Sequence, residues 1–313
     1  MKIFLGIITL VMLSTAQAQD LKFGDLNYFL KSGQINAGAD LSIGNESMRR
    51  EGTGDVRING YFTDAKLGYG IMDQLNAFIK LQYLYAVDTE ISGGSGSFDT
   101  TGFQNPEFGG QFRVLNQADA GINFDLAAVV GLQVLERNAG SFSPQHDGDL
   151  PNPDYSTRGE PRNTLELNGR LGKKWNIANE FSILAGLVYH QEGDYEDQKT
   201  DGTATIESSI DLKSGVYYQY CPVDELRMGL GLTGIYVGEA DGNNGDGVKE
   251  TATSHLDLKL SFDAKYLINE GFIVKFMMNQ ERRGDFEFET TSGDLSVEKR
   301  KSFNYGLGLD LLF

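Results

Sequence analysis

Charged side chains recur at every second residue inside segments whose alternate residues are apolar. Leu256, Leu258, Leu260, Phe262, Ala264 and Tyr266 interleave with Asp257, Lys259, Ser261, Asp263 and Lys265. The same interleaving sets Lys80, Glu107, Arg113, Glu166, Arg170, Asp211, Lys213, Arg227 and Lys275 against apolar neighbours, with Asp64, Asp125 and Glu207 beside them. Side chains alternate across a strand, so groups spaced this way share one face. Mixed signs at this density do not read as a catalytic pair. Unpaired charge in a dry interior is very costly. These residues are therefore expected to line a wet lumen, as a narrow polar conduit, or to pair across strands around trapped water.

Dedicated reaction chemistry is poorly supplied. Of three histidines, His146 sits in a polar stretch, His190 is followed by Glu192 and His255 by Asp257. No histidine is followed two residues on by a serine, so a lipid-modifying enzyme stands only as a second alternative. Asp241 to Gly247 looks like a fragment of a calcium loop, but the twelfth position, which needs an acidic ligand, holds Ala252. Asp194, Glu196, Asp197 and Asp201 read as a solvated acidic loop. Cys221 is the only cysteine, which excludes an intramolecular disulfide and a cysteine-based metal site. No cofactor and no enzymatic activity are expected.

The elements that position these residues are strands. Twelve alternating segments run over Gln34 to Glu46, Asn59 to Ile71, Leu75 to Val87, Asn105 to Leu115, Gly121 to Leu135 and Asn163 to Trp175, then Phe181 to Glu192, Thr205 to Tyr220, Glu225 to Val237, His255 to Leu267, Phe272 to Arg283 and Phe303 to Phe313. Each is long enough to cross a bilayer as a tilted strand of roughly 9–11 residues. Their connections alternate. Short links at 72–74, 116–120, 176–180, 221–224 and 268–271 follow the even-numbered segments. Long polar stretches at 47–58, 88–104, 136–162, 193–204, 238–254 and 284–298 follow the odd ones. Four of the six prolines, Pro144, Pro151, Pro153 and Pro161, fall in the third long stretch, and none breaks a ladder. Aromatic residues gather at both segment ends, as at two membrane interfaces. Inward-phased glycines, Gly68, Gly70, Gly172, Gly229, Gly231, Gly306 and Gly308, cluster near the short-turn ends. That half is expected to be wider, or filled by the N-terminal segment.

The N-terminus reads as a cleaved secretory signal over residues 1–18: Lys2, an apolar run Ile3 to Leu13, and Ala16-Gln17-Ala18. Residues 19–33, with Leu21, Phe23, Leu26, Phe29 and Leu30, are expected as a periplasmic lead-in; a plug entering the lumen is the alternative. The net charge of −17 argues against nucleic acid as a partner.

The last segment alternates Tyr305, Leu307, Leu309 and Leu311 with Asn304, Gly306, Gly308 and Asp310, and ends on the aromatic Phe313. With the leader and the alternating connections, it resembles the closing strand of a Gram-negative outer-membrane β-barrel. In that family the terminal strand is the signal read by the insertion machinery. A narrower likeness lies in Tyr69-Gly70-Ile71-Met72-Asp73-Gln74-Leu75 and in Asn105-Pro106-Glu107-Phe108-Gly109-Gly110-Gln111-Phe112-Arg113-Val114-Leu115. These are similar to the outer-membrane family of the phenol-degradation meta-pathway, whose role is taken to be uptake of hydrophobic or aromatic solutes. The matched motifs specify no phenolic substrate here.

The expectation is an all-β chain: a 12-stranded antiparallel transmembrane up-and-down barrel over residues 34–313, with short periplasmic turns and long external loops. It would act as a monomeric channel for a small solute of unread identity. Outer-membrane lipid, lipopolysaccharide and the insertion machinery would be its partners. A non-conducting barrel acting through its external loops is the first alternative.

Overall fold

The computed structural model describes residues 21–50, 54–91, 102–133, 162–197, 202–243, 247–290 and 295–313. The leader and most of the third long stretch, with His146 and four prolines, lie outside these residues.

Twelve strands form the wall: β1 (Ile35–Arg50), β2 (Gly54–Met72), β3 (Leu75–Ile91), β4 (Glu107–Leu115), β5 (Asn123–Gly131), β6 (Thr164–Asn176), β7 (Asn179–His190), β8 (Ser209–Val223), β9 (Leu226–Val237), β10 (His255–Asn269), β11 (Phe272–Arg282) and β12 (Leu295–Leu312). Each pairs antiparallel with its sequence neighbours. β12 pairs with β1 from Asn36↔Leu312 upward and closes the ring. Closure leaves no free edge, which is what allows a sheet to sit in lipid. At the seam Ile35 N donates to Phe313 O at 3.0 Å and Phe313 N to Ile35 O at 2.8 Å.

The alternation read from the sequence becomes two faces. Leu41, Leu67, Leu126, Leu167, Leu212, Leu230, Leu258, Phe276, Leu307 and Leu309 stand exposed on the outside. In a bilayer these side chains are covered by lipid, each worth about 1.5–3 kcal/mol. The opposite face carries the charged residues and the glycines that the sequence phased inward.

The short turns fall where expected. The one between β4 and β5 holds a single helical turn, α1 (Gln117–Ala120), capped by Asn116 and closed by left-handed Gly121. The long connections differ from expectation. β1 continues to Arg50 and β2 begins at Gly54, through much of the stretch read as loop, and β12 begins at Leu295 instead of Phe303. Short strands Gly193–Asp197 and Gly202–Ile206 pair as a hairpin, as do Ala240–Asn243 and Lys249–Ala252. The second hairpin joins the first through Thr205↔Asn243 and joins Phe286–Thr290 through Thr251↔Glu289. Once a ladder is formed, backbone groups continue it beyond the apolar belt, so polar composition alone does not mark a loop.

Candidate functional site

Residues 21–34 pack against inward-facing residues at the short-turn end of the barrel. The sequence placed this segment below the barrel as a lead-in, with a plug as the alternative; it packs inside. A compact turn starts it. Lys22 N donates to Asp25 Oδ2 at 2.7 Å, and Asp25 N donates to Lys22 O at 2.9 Å. Gly24 has φ 92°, a left-handed conformation in which glycine is unstrained.

The Asp25 side chain is wholly buried and receives two cations, Lys174 Nζ at 2.6 Å from β6 and Arg227 Nε at 2.7 Å from β9. Glu180, at the start of β7, accepts the Leu26 amide at 2.7 Å and the Asn27 amide at 2.8 Å. Arg113 of β4 is fixed by Asp125 of β5, with Nε at 2.7 Å and Nη2 at 3.0 Å. Its Nη2 also donates to Asn27 O at 2.8 Å, and its guanidinium lies 4.5 Å from the centre of the Phe29 ring. Lys265 of β10 donates to Gly24 O at 3.4 Å. Such charges are tolerable inside because each has opposite charge or oriented dipoles around it.

At its far end the segment joins the wall. Gly33 N donates to Gly70 O at 2.8 Å and Gly70 N to Gln34 O at 2.9 Å, while Ser32 N donates to Asp73 Oδ1 at 2.9 Å. Tyr28 donates its hydroxyl to Gln34 Oε1 at 2.8 Å. Partial burial raises the Tyr28 phenol above its ordinary pKa, against the smaller opposing effect of that hydrogen bond.

The clustered glycines are explained in part by this packing. A Cβ on Gly70 would collide with the Lys31 carbonyl, one on Gly172 with the Asn27 carboxamide, and one on Gly68 would press on Leu30 at 3.2 Å. The others serve their own wall. Asp263 lies over Gly229, Tyr217 over Gly231, Ser42 over Gly306 and Asp40 over Gly308. The missing side chains leave room that the plug and neighbouring side chains occupy.

Above the plug the lumen is polar. Lys213 of β8 meets Glu166 of β6 at 2.8 Å, and Lys80 of β3 meets Glu107 of β4 at 3.6 Å. Lys275 of β11 lies between Asp40 at 2.8 Å and Asp310 at 3.1 Å, with Asp263 and Lys265 of β10 3.5 Å apart nearby in the wall. Arg170 donates to Ser182 Oγ at 3.0 Å. Asp211 faces His190 at 2.9 Å and takes the Gly238 amide at 3.0 Å; Asp257 takes the Gly284 amide at 2.9 Å, with His255 at 3.6 Å. Lys259 projects from the same face of β10 as Asp257. The thirteen charged residues singled out in the sequence therefore fall into two groups. Arg113, Arg227 and Lys265 touch the plug, and the rest lie elsewhere along the wall.

Sequence reasoning missed Asp25, Lys174 and Glu180 as a unit. It also missed an outer cluster in which Arg283 meets Glu46 at 3.0 Å and Glu281 at 3.1 Å, with Arg300 3.5 Å from Glu46. Glu46 and Glu281 continue the inward phase of their strands, which was the available signal. The calcium-like stretch lies partly outside the described residues; within it, Asp241 Oδ1 accepts Thr251 Oγ1 at 2.6 Å.

No protein-family model matches the sequence, and no curated protein matches it. Among solved structures, an outer membrane channel from Pseudomonas putida F1 shares the fold at TM-score 0.60 and 13% identity, over 94% of this chain and 100% of that one. The chain has the fold of an outer-membrane β-barrel. Two other barrels superpose less well on it. They are the translocator domain of the autotransporter NalP from Neisseria meningitidis (TM-score 0.48, 12% identity, 92% and 90% covered) and the NanC porin (TM-score 0.47, 9% identity, 86% and 98% covered). For this outer-membrane barrel, the short turns and the plug lie at one end and the paired hairpins at the other.

Proposed function

We propose that the protein is an outer-membrane channel that passes small solutes through a polar lumen, with residues 21–34 closing its periplasmic end. The observation that carries this reading is the contrast between the two faces of one closed ladder. The outside is apolar, while the inside above the plug is lined with charge and ion pairs instead of interdigitated apolar side chains. Twelve strands enclose more space than the filled eight-strand case. A charged interior of that width holds water. The resting protein in this reading conducts weakly, and displacement of the plug opens it. The terminal strand with Phe313 serves as the insertion signal, the leader ends at Ala18, and the barrel works as a monomer in contact with lipid and lipopolysaccharide.

Planar-bilayer recording tests this. Wild-type protein should show small, rare openings, and a variant lacking residues 21–33 should show steady conductance several-fold larger. Absence of conductance from both, in protein that retains heat-modifiable mobility on gels, sinks the channel reading.

A second reading is favoured by one observation. The hairpins 193–206 and 240–252 and the strand 286–290 pair with one another beyond the apolar belt. A raised, ordered wall of this kind suits an external binding surface, and retention of a surface ligand by non-conducting protein would support it.

A further inference from the structure

Five lysines descend the lumen, and they are unequally matched. Lys213 and Lys259 lie on the outer halves of β8 and β10, Lys80 and Lys66 nearer the short turn of β2 and β3, and Lys275 lowest, on β11. Lys213 holds Glu166, Lys80 holds Glu107, and Lys275 holds two aspartates. Among the described residues, no carboxylate lies within ion-pair distance of Lys66 or Lys259. Lys66 instead lies 4.9 Å from the centre of the Phe78 ring. It stands directly opposite Lys80 in the β2–β3 register, an arrangement of like charges that costs stability in a sheet. Lys259 stands opposite Glu281 in the β10–β11 register, but Glu281 is held by Arg283 at 3.1 Å; the carboxylate that acts most on Lys66 is Asp310, which Lys275 holds at 3.1 Å.

We propose that Lys66 and Lys259 are two docking points, each for a carboxylate of a small organic solute inside the lumen. Glu166 on Lys213 and Glu107 on Lys80 show the chemistry that the site accepts. A solute carboxylate would do at Lys259 and Lys66 what those side chains do at their neighbours. Alternating occupied and open ammonium groups lets an anion step down the wall without meeting a single strong trap. This deepens the channel reading and rests on it only for passage, not for binding. The chain as a whole is strongly acidic, with a net charge of −17, so the site is read by binding instead of by ion selectivity.

The experiment is calorimetric titration of the folded full-length mature protein in detergent with succinate at low ionic strength. Saturable binding is expected, weakened at least tenfold by Lys66→Gln with Lys259→Gln, retained with arginine at both positions, and weakened by added salt. Heat-modifiable mobility monitors folding. Should the double variant fail to fold, each single glutamine variant is expected to weaken binding at least threefold. Wild-type protein without saturable binding, or glutamine variants that bind as wild type, would overturn the proposal. Binding without conductance keeps this site and sinks the channel; conductance without binding does the reverse.

Discussion

Asp25 Oδ1 lies 2.7 Å from Arg227 Nε, and both side chains are buried. Lys174 completes the arrangement from another strand at 2.6 Å. One carboxylate on the N-terminal segment thus answers two cations that the barrel wall buries.

Replacing Asp25 with alanine removes the carboxylate that Lys174 and Arg227 both contact. Breaking a buried pair from one side costs about 3–5 kcal/mol. The closed ladder does not need the plug, so the loss falls on its seating. Bilayer recordings of Asp25→Ala should show longer and more frequent openings than wild type, with unchanged heat-modifiable mobility. Unchanged gating would mean that the carboxylate does not hold the plug.

Gly172→Leu and Gly70→Leu put side chains where the Asn27 carboxamide and the Lys31 carbonyl now sit. Both should expel the segment and raise conductance several-fold. Gly110→Leu, on the outward face of β4, is the control and should change neither conductance nor folding. Limited proteolysis supplies an independent check, since an expelled segment is cut faster than a seated one.

Phe313 carries two separable roles. Its backbone closes the seam with Ile35, and its exposed ring is the expected insertion signal. Phe313→Ala keeps the seam and loses the ring. Heat-modifiable protein recovered from the outer-membrane fraction should fall several-fold in this variant. Wild-type recovery would remove the ring from the insertion signal.

Leu230 stands outward on β9, with Tyr218 and Phe262 as its ladder partners. Lysine there faces hydrocarbon, at a cost of about 2–4 kcal/mol near the bilayer midplane. Urea titration of protein folded into lipid vesicles should show that loss for Leu230→Lys. A change within error would place Leu230 outside the hydrocarbon layer.

The wall was legible because its physics is local. Alternation over ten residues states which face is apolar, and the spacing of the short turns states the strand count. The loops were less legible. The chain from Ser47 to Ile58 is polar enough to read as loop, yet most of it stays in the ladder. The plug was legible only as an alternative. Leu21, Phe23, Leu26, Phe29 and Leu30 suggest a helical turn, and nothing near Asp25 in sequence names its partners. Lys174 and Arg227 reveal that role only when a closed ring brings β6 and β9 to the same place.

The plug also constrains the order of assembly. Asp25 is translated long before Lys174 and Arg227, which are 149 and 202 residues further along. Contacts so distant carry a loop-closure cost and form late. β1 must find β12 before there is an interior for Asp25 to enter. The first of the described residues are then the last to settle, and a seated Asp25 reports that the ring has closed.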